Sequence, residues 1–346
     1  MGLDRPVIVV GCPRSGTTLL QLMLHCHLRM AVPPETRFVI DAYDRRVGFG
    51  DLTDPANRRA LAEWITGRPA GKFHDLGLDA AEVNERIVAA PPTLGSALAT
   101  VFQAYAGRFG KPRWGDKRPT YIQHLDHIMR LFPEAQIVHV IRDGRDCVAS
   151  LKEMSWYKKD INHAISTWAQ AVDAGRRAAR QLGPGSYHEM RYEDLVADPE
   201  TMLRGLCAFL GEDYDPAMTE PSRVAATAVP AQKHWHARTH GAVDTRRVRS
   251  WEKRLDPAEI ALAEAALASR MRLYGYEPSD AGRPTAAQLA QYAKVAAERR
   301  RTARMRALRD RWDRRHEPNP VAAQMPPAIP AARPASDDVP LESRIS

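Results

Sequence analysis

Short apolar runs alternate along the chain with longer segments in which apolar residues recur at helical spacing. Residues 6–10, 136–141 and 187–191 predict strands, and the first two runs are rich in β-branched side chains. Strands that alternate with helices are typical of a parallel sheet with helices on its faces. Helices are predicted after the first strand and at residues 121–132, 143–152, 161–182, 200–210 and 257–274.

Two segments depart from this alternation. Residues 36–110 are mostly helical in pattern and contain no strong strand, which predicts a helical insert. Residues 285–316 predict a charged helix with a thin apolar seam of Met305, Leu308 and Trp312. Seven prolines occur among residues 317–346, a composition that predicts a disordered tail. We therefore expect a main domain at 1–284, a C-terminal helix at 285–316 and a tail at 317–346.

The formal net charge of +8 belongs almost entirely to the C-terminal helix. Residues 294–315 carry ten basic and three acidic side chains, so the remainder of the chain is nearly neutral. A solvated helix, an oligomer contact and the binding of an anionic surface are three interpretations that this segment leaves open. A nucleic-acid-binding protein is disfavoured because the basic stripe lacks interleaved aromatic residues. Deletion of residues 285–346 is expected to spare enzyme activity and to abolish binding that depends on the tail.

The apolar runs and the cysteines indicate the compartment. No run approaches the roughly 18 consecutive apolar residues of a membrane span. The four cysteines are scattered, without a CxxC pair or a cluster with histidine, so we expect reduced thiols and no structural zinc. The sequence favours a cytoplasmic protein.

The strongest candidate for chemistry is the segment Gly-Cys-Pro-Arg-Ser-Gly-Thr-Thr at residues 11–18, between a strand and a helix. Backbone N–H groups in such a turn converge on one point, where the helix dipole also favours an anion. The glycine spacing matches the P-loop signature, but Thr17 replaces its lysine and Arg14 supplies the cation. The second strand ends at Arg142 instead of an acid, so the usual magnesium site is incomplete. We expect an α/β fold of the P-loop type, in three layers around a central, mainly parallel sheet.

Two motifs resemble those of sulfotransferases that use 3′-phosphoadenosine-5′-phosphosulfate (PAPS). Pro-Arg-Ser-Gly-Thr-Thr-Leu at residues 13–19 is similar to the 5′-phosphosulfate loop of that family, and above all of its tyrosylprotein branch and many bacterial members. Residues 137–150 resemble the 3′-phosphate motif, in which a strand-end arginine and a serine eight residues later hold the 3′-phosphate. Here these residues are Arg142 and Ser150. A looser likeness extends from residue 5 to about residue 275.

The resemblance also implies roles for individual side chains. Glu35 corresponds to a catalytic glutamate, and Lys117 to a lysine that stabilises the transferring sulfuryl group together with Arg14. Glu35 could instead cap the helix that follows it, and Lys117 could simply pair with Asp116. The implied donor-binding residues are Arg14, Ser15, Gly16, Thr17, Thr18, Arg142, Ser150, Tyr192, Arg246 and Arg249. The last two stand in for an absent Arg-Lys-Gly element, and which arginine of residues 245–251 takes part stays open.

The function expected from the resemblance is transfer of a sulfuryl group from PAPS to an acceptor hydroxyl, with release of 3′-phosphoadenosine-5′-phosphate (PAP) and without a metal. A glycan, a lipid, a phenolic metabolite and a peptide tyrosine are all open as acceptors, and residues 36–110 are expected to form the acceptor side. A nucleotide-dependent phosphotransferase of the P-loop type is the alternative. We expect no nucleic acid partner and no membrane span, and a homo-oligomer stays open.

Overall fold

A five-stranded parallel sheet forms the centre of the protein in the computed structural model, which describes residues 4–224 and 245–324. The strand order is β2-β3-β1-β4-β5, and each neighbouring pair is parallel. Consequently the carboxyl ends of the strands all lie at one edge of the sheet, the usual place for a ligand in such folds. The strands are β1 Val7–Gly11, β2 Met30–Ala31, β3 Arg113–Lys117, β4 Gln136–Ile141 and β5 Tyr187–Arg191.

Helices cover both faces of the sheet, so the three-layer α/β fold expected from the sequence is confirmed. Alternate residues of β1 enter different clusters of the core: Ile8 and Val10 join one, and Val7 and Val9 join the other. The described α-helices are α1 Thr17–Cys26, α2 Phe38–Arg45, α3 Pro55–Gly67, α4 Ala80–Ala89, α5 Leu94–Gly107, α6 Leu125–Leu131, α7 Gly144–Lys152, α8 Ile161–Leu182, α9 Tyr192–Ala197, α10 Pro199–Leu210, α11 Pro257–Leu273 and α12 Ala286–Asp313.

The sequence pattern missed β2 and β3. The residues of β3 are Arg-Trp-Gly-Asp-Lys, which no apolar periodicity identifies as a strand, although all five are buried. Distant partners make this burial tolerable, since the guanidinium of Arg113 donates to Glu212 (2.9 Å) and to Gln136 (2.5 Å). The consequence is functional, because β3 ends at Lys117, which pairs in register with Val9 of the central strand.

Of two helical predictions, one agrees with the structure and one needs correction. The insert at residues 36–110 does contain α2–α5 and, among its described residues, no strand. The single helix expected at 121–132 is divided, because a 3₁₀ turn at Pro119–His124 precedes α6. The other helices predicted with stated bounds agree with the structure to within three residues at their ends.

The C-terminal helix α12 packs against the body through a face other than its apolar seam. Val295, Ala296 and Asp310 are its buried residues, whereas Met305, Leu308 and Trp312 are each more than half exposed. The seam that the sequence suggested is therefore on the outside of the protein.

The segment after α12 corrects part of the prediction of a disordered tail. Residues 317–324 lie against α5 and α6, where Gly95 N donates to Val321 O (2.8 Å) and Ala323 N donates to Leu131 O (2.7 Å). A side chain at Gly95 would meet the backbone of Ala323 at 2.4 Å, so glycine permits this close approach. Residues 325–346, the rest of the predicted tail, lie outside the described residues.

A buried charge network holds this segment and α12 to the insert. The guanidinium of Arg46, whose side chain is 3% exposed, pairs with Asp310 at 2.8 Å and with Glu317. Arg130 pairs with the same Glu317 carboxylate at 2.8 Å. Removing the partners of a buried charge is far costlier than removing an exposed pair. The deletion from residue 285 that the sequence suggested would leave Arg46 without these partners, so it is no longer a neutral test of the tail.

The double substitution Asp310→Ala and Glu317→Ala is expected to lower the free energy of unfolding by about 3–5 kcal/mol. The reason is that the buried charge of Arg46 loses its ion-pair partners. Urea denaturation of the full chain measures this change. Glu298→Ala, at an exposed position on the same helix, is the control and should change stability little. A double variant as stable as the control would contradict a structural role for the network.

The same network gives stability a pH dependence. Burial raises the pKa of Asp310 and of Glu317, but nearby cations outweigh burial: His127, Arg314 and Arg46 act on Asp310, and Arg130 and Arg46 act on Glu317. Both pKa values therefore lie below their ordinary range. Carboxyls whose folded pKa is lowered stabilise the protein above their unfolded pKa of about 4. That contribution is lost as the pH falls through the lowered folded values.

Among the described residues, no helix combines the length and the apolar content that crossing a membrane requires.

Candidate active site

The loop between β1 and α1 is built for close approach to a ligand. Gly16 has a φ of 100°, and a side chain there would meet the ring of Tyr192 at 2.3 Å, so only glycine fits. Arg14 adopts a φ of 75°, a left-handed conformation that is uncommon for a residue with a side chain. Such strain at a non-glycine residue is characteristic of functional loops. It turns the Arg14 side chain towards α7.

The amino end of α1 presents donors to the same place. No side chain caps the helix at Gly16, so α1 begins without the Ser, Thr, Asn or Asp oxygen that usually accepts its first N–H groups. The hydroxyl of Ser15 is fully buried and makes no hydrogen bond in the described residues. Thr17 and Thr18 form the first turn of the helix. An anion at this end would satisfy these groups and the helix dipole together.

Arg14, Ser150 and Arg142, which the sequence placed in two separate motifs, meet at this edge of the sheet. Arg14 Nε donates to Ser150 Oγ at 3.0 Å, and Arg142 Nη1 donates to the main-chain oxygen of Arg14 at 3.2 Å. The Arg142 guanidinium lies 4.4 Å from the centre of the Tyr192 ring, and its Nε makes no hydrogen bond with any residue that the structure describes. The parallel order of β1, β4 and β5 causes this convergence, because each residue follows the end of its strand or begins the next helix.

Two further arginines, Arg247 and Arg254, add to the positive charge around Arg14 and Arg142. Burial is the main cause that lowers the pKa of Arg14 to about 10, and the positive charges of Arg142, Arg247 and Arg254 act in the same direction. Several guanidinium groups held close together favour a multiply charged anion.

Of the two arginines named from the sequence, Arg249 has another partner. Its guanidinium pairs with Glu252 at 2.6 Å, and its side chain is 74% exposed. Arg246 is exposed as well. Arg247, one of the arginines among which the sequence left the choice open, is half-buried, and its charge helps to lower the pKa of Arg14. No sequence signal distinguished these neighbours, because three arginines occur within four residues.

Glu35 and Lys117 face each other beside the amino end of α1. Lys117 Nζ lies 3.5 Å from Glu35 Oε2 and 3.4 Å from Thr18 Oγ1. The Lys117 side chain is 3% exposed, whereas that of Glu35 is 28% exposed and open to a second reactant. The alternative of a helix cap fails, because α2 begins at Phe38 and has no side-chain cap.

Asp116 supports this pair from behind instead of neutralising Lys117. Its Oδ2 accepts a hydrogen bond from the Tyr121 hydroxyl at 2.8 Å, and its Oδ1 accepts one from Lys117 N at 2.8 Å. Successive side chains of a strand point to opposite faces, which separates the carboxylate from the Lys117 ammonium. Burial raises the pKa of Asp116 to about 6. The surface pairing of these two residues that we considered from the sequence is therefore wrong.

The whole arrangement is a cationic cradle with a carboxylate at one side. The cradle can bind a molecule with two phosphate-like groups, one near Ser15 and Thr18 and one near Arg142 and Ser150. The Glu35 carboxylate could accept the proton of a hydroxyl that enters beside it. Lys117 would stabilise the charge on the group that is transferred to that hydroxyl.

Comparison with known proteins identifies the family of the chain. The family described as "Sulfotransferase family" matches residues 6–216, which include every strand of the sheet. The protein-tyrosine sulfotransferase of Drosophila melanogaster is 23% identical over 315 residues, covering 86% of this chain and 57% of that protein. The nodulation protein NoeE of Sinorhizobium fredii is 26% identical over 298 residues, covering 78% of this chain and 66% of that protein. The chain thus spans about half the length of several curated relatives that it matches.

Solved structures give the same result for the fold. The sulfotransferase domain of the Synechococcus PCC 7002 olefin synthase superposes with a TM-score of 0.55 at 25% identity, covering 78% of this chain and 94% of that domain. The sulfotransferase domain from the curacin biosynthetic pathway gives a TM-score of 0.54 at 19% identity, covering 81% of this chain and all of that domain, which is evidence for the fold alone.

Proposed function

Because this chain belongs to the sulfotransferase family, we propose that it transfers a sulfuryl group from PAPS to an acceptor hydroxyl and releases PAP. The observation that carries the proposal is the meeting of Arg14, Arg142 and Ser150 at 3.0–3.2 Å on one side of the α1 amino end, with Lys117 and Glu35 on the other. This arrangement supports a donor with one phosphate group near Arg142 and Ser150 and a second phosphate, which carries the reacting group, at the amino end of α1.

The donor would lie along the edge of the sheet. In the proposal the 5′-phosphosulfate occupies the loop of residues 11–18. There the buried Ser15 hydroxyl and the uncapped N–H groups of α1 can donate hydrogen bonds to an anion. The 3′-phosphate lies between Arg142 and Ser150. The ring of Tyr192, held against Gly16 and Arg142, would contact the nucleotide.

The residues of the chain would carry the chemistry by positioning and charge. Sulfuryl transfer resembles phosphoryl transfer, in which the protein aligns an in-line attack and stabilises charge on the transferred group. Glu35 accepts the proton of the attacking hydroxyl, which breaks its O–H bond as the new oxygen–sulfur bond forms. The bond from sulfur to the PAP phosphate oxygen breaks, and Lys117 and Arg14 stabilise the charge that moves onto that oxygen. The leaving phosphate is already an anion, so no metal is needed to form it.

The alternative of a P-loop phosphotransferase is not favoured. The matched family consists of sulfotransferases, and Thr17 stands where the P-loop signature has the lysine that contacts the β- and γ-phosphates. A glycan, a lipid, a phenolic metabolite and a peptide tyrosine remain the acceptor classes in the proposal, since the donor site alone does not select among them.

A transfer assay tests the proposed reaction. The full chain is incubated with ³⁵S-labelled PAPS and a panel of a phenol, a tyrosine peptide, an oligosaccharide and a long-chain alcohol, in the presence of EDTA. Label is expected to move to at least one acceptor class. Transfer from γ-³²P-ATP in magnesium, with no transfer from PAPS, would contradict the proposal.

A further inference from the structure

Asp146, in the first turn of α7, is fully buried and binds a segment far away in the sequence. Its Oδ1 accepts hydrogen bonds from Ser250 Oγ (2.8 Å) and Trp251 N (2.9 Å), and its Oδ2 accepts one from Arg249 N (3.1 Å). One carboxylate therefore holds three consecutive residues of the segment 245–251.

Arg142 joins the same segment to the donor site. Its Nη2 lies 3.5 Å from Asp146 Oδ2 and donates to the main-chain oxygen of Arg247. Burial disfavours the charge of Arg142, but its acidic neighbours, Asp146 foremost, outweigh burial and raise its pKa. Asp146, Arg142 and the main chain at Arg247 are thus interlocked.

The far end of the segment is fixed as well. The Trp251 ring is buried beneath the guanidinium of Arg145, 3.9 Å from its centre. Arg145 is itself bound by Asp143 at 2.7 Å and by Glu264 at 2.6 Å. With its main chain held at Arg247, Arg249 and Trp251, this part of the segment has little freedom in its main-chain path.

This geometry places the side chains of Arg249 and Arg247 in different surroundings. Arg249 is held in the left-handed region with a φ of 56°, and its guanidinium turns outwards to Glu252. Arg247 is instead half-buried, its main-chain oxygen accepts a hydrogen bond from Arg142 Nη2, and its positive charge helps to lower the pKa of Arg14. The choice of arginine follows from the path of the main chain that Asp146 fixes.

We propose that Asp146 is a positioning residue that holds the segment 245–251 so that Arg247 becomes the second cation, beside Arg142, at the 3′-phosphate of the donor. The inference rests on the proposed function and adds to it which arginine completes the site and what holds that arginine. If Asp146 had only a structural role, its loss would weaken the binding of all nucleotides alike. In the proposed role, its loss weakens only the binding of a nucleotide with a 3′-phosphate.

Calorimetric titration of the full chain with PAP and with 5′-AMP, which lacks the 3′-phosphate, separates these roles. We expect Arg247→Ala and Asp146→Asn each to weaken PAP binding by about 10- to 100-fold, the usual range for a charged hydrogen bond. Binding of 5′-AMP should stay within about twofold in both variants. The double variant should bind PAP about as well as Arg247→Ala alone, because Asp146 acts through Arg247.

Lys253→Ala, an exposed cation next to the segment, is the matched control and should bind both nucleotides as the wild type does. Ser250→Ala removes one of the three donors to Asp146 and serves if Asp146→Asn does not fold. Its expected loss of PAP affinity is about 2- to 10-fold, because two of the three hydrogen bonds to Asp146 stay in place, again without loss for 5′-AMP.

Two results would overturn the inference while leaving the proposed function intact. In the first, the wild type prefers PAP over 5′-AMP and Arg247→Ala keeps that preference. In the second, Asp146→Asn and Ser250→Ala weaken the binding of PAP and of 5′-AMP equally. A wild type without any preference for PAP would contradict the proposed donor itself, and the inference with it.

Discussion

Glu35→Gln is expected to lower kcat by about 10²–10⁴, the usual contribution of a general base, while PAP affinity stays within about twofold. The amide keeps the size of the side chain and its contact with Lys117, but it cannot accept the proton of the acceptor hydroxyl. Because Glu35 lies on the acceptor side of Lys117, 3.5 Å from its ammonium, the substitution leaves the phosphate-binding groups in place.

The readout is initial rate against pH with the best acceptor of the panel, together with calorimetry for PAP. The wild type should lose activity as the pH falls through the pKa of the base, and the variant should lack that limb of the profile. Glu63→Gln, at an exposed position of the insert, is the matched control. A variant with wild-type kcat and an unchanged profile would exclude Glu35 as the base.

Lys117→Met is expected to lower kcat by about 10²–10³, the usual loss when one preorganised donor to a transition-state charge is removed. Lys117 is almost fully buried and contacts both Thr18 and Glu35, so it bridges the donor loop and the base. Lys117→Arg should not restore the rate, because the wider planar guanidinium cannot occupy the space of a compact ammonium.

Comparison of kcat with PAP affinity distinguishes this role from ground-state binding. A transition-state role predicts a fall in kcat much larger than the fall in PAP affinity. Equal losses in both would reduce Lys117 to a phosphate-binding residue. Lys294→Met on α12, which is exposed, is the control for loss of a positive charge.

The donor site could be predicted from the sequence because each of its parts is local. The path from Gly11 to Thr18 is encoded in eight consecutive residues, and Arg142 and Ser150 lie within a single strand–turn–helix unit. Parallel strands then bring the two units together at one edge, as the contact between Arg14 and Ser150 illustrates. Local patterns of this kind need no knowledge of distant partners.

The features that the sequence did not reveal depend on distant partners. Strand β3 is polar and buried only because Arg113 finds Glu212 and Gln136. The path of residues 317–324 depends on main-chain hydrogen bonds with Gly95 and Leu131, which a proline-rich composition does not indicate. The choice of Arg247 over its neighbours follows from a carboxylate about 100 positions earlier in the chain, at Asp146.

The central claim is that the edge of the sheet binds the donor of a sulfuryl group, and one calorimetric titration tests it most directly. The full chain is titrated with PAP without metal, and with ATP plus magnesium as the comparison, for the wild type, Arg14→Ala and Arg142→Ala. The account predicts tight binding of PAP by the wild type, weakened about 10-fold or more in each variant by loss of a charged hydrogen bond. Binding of ATP with magnesium and none of PAP would contradict it.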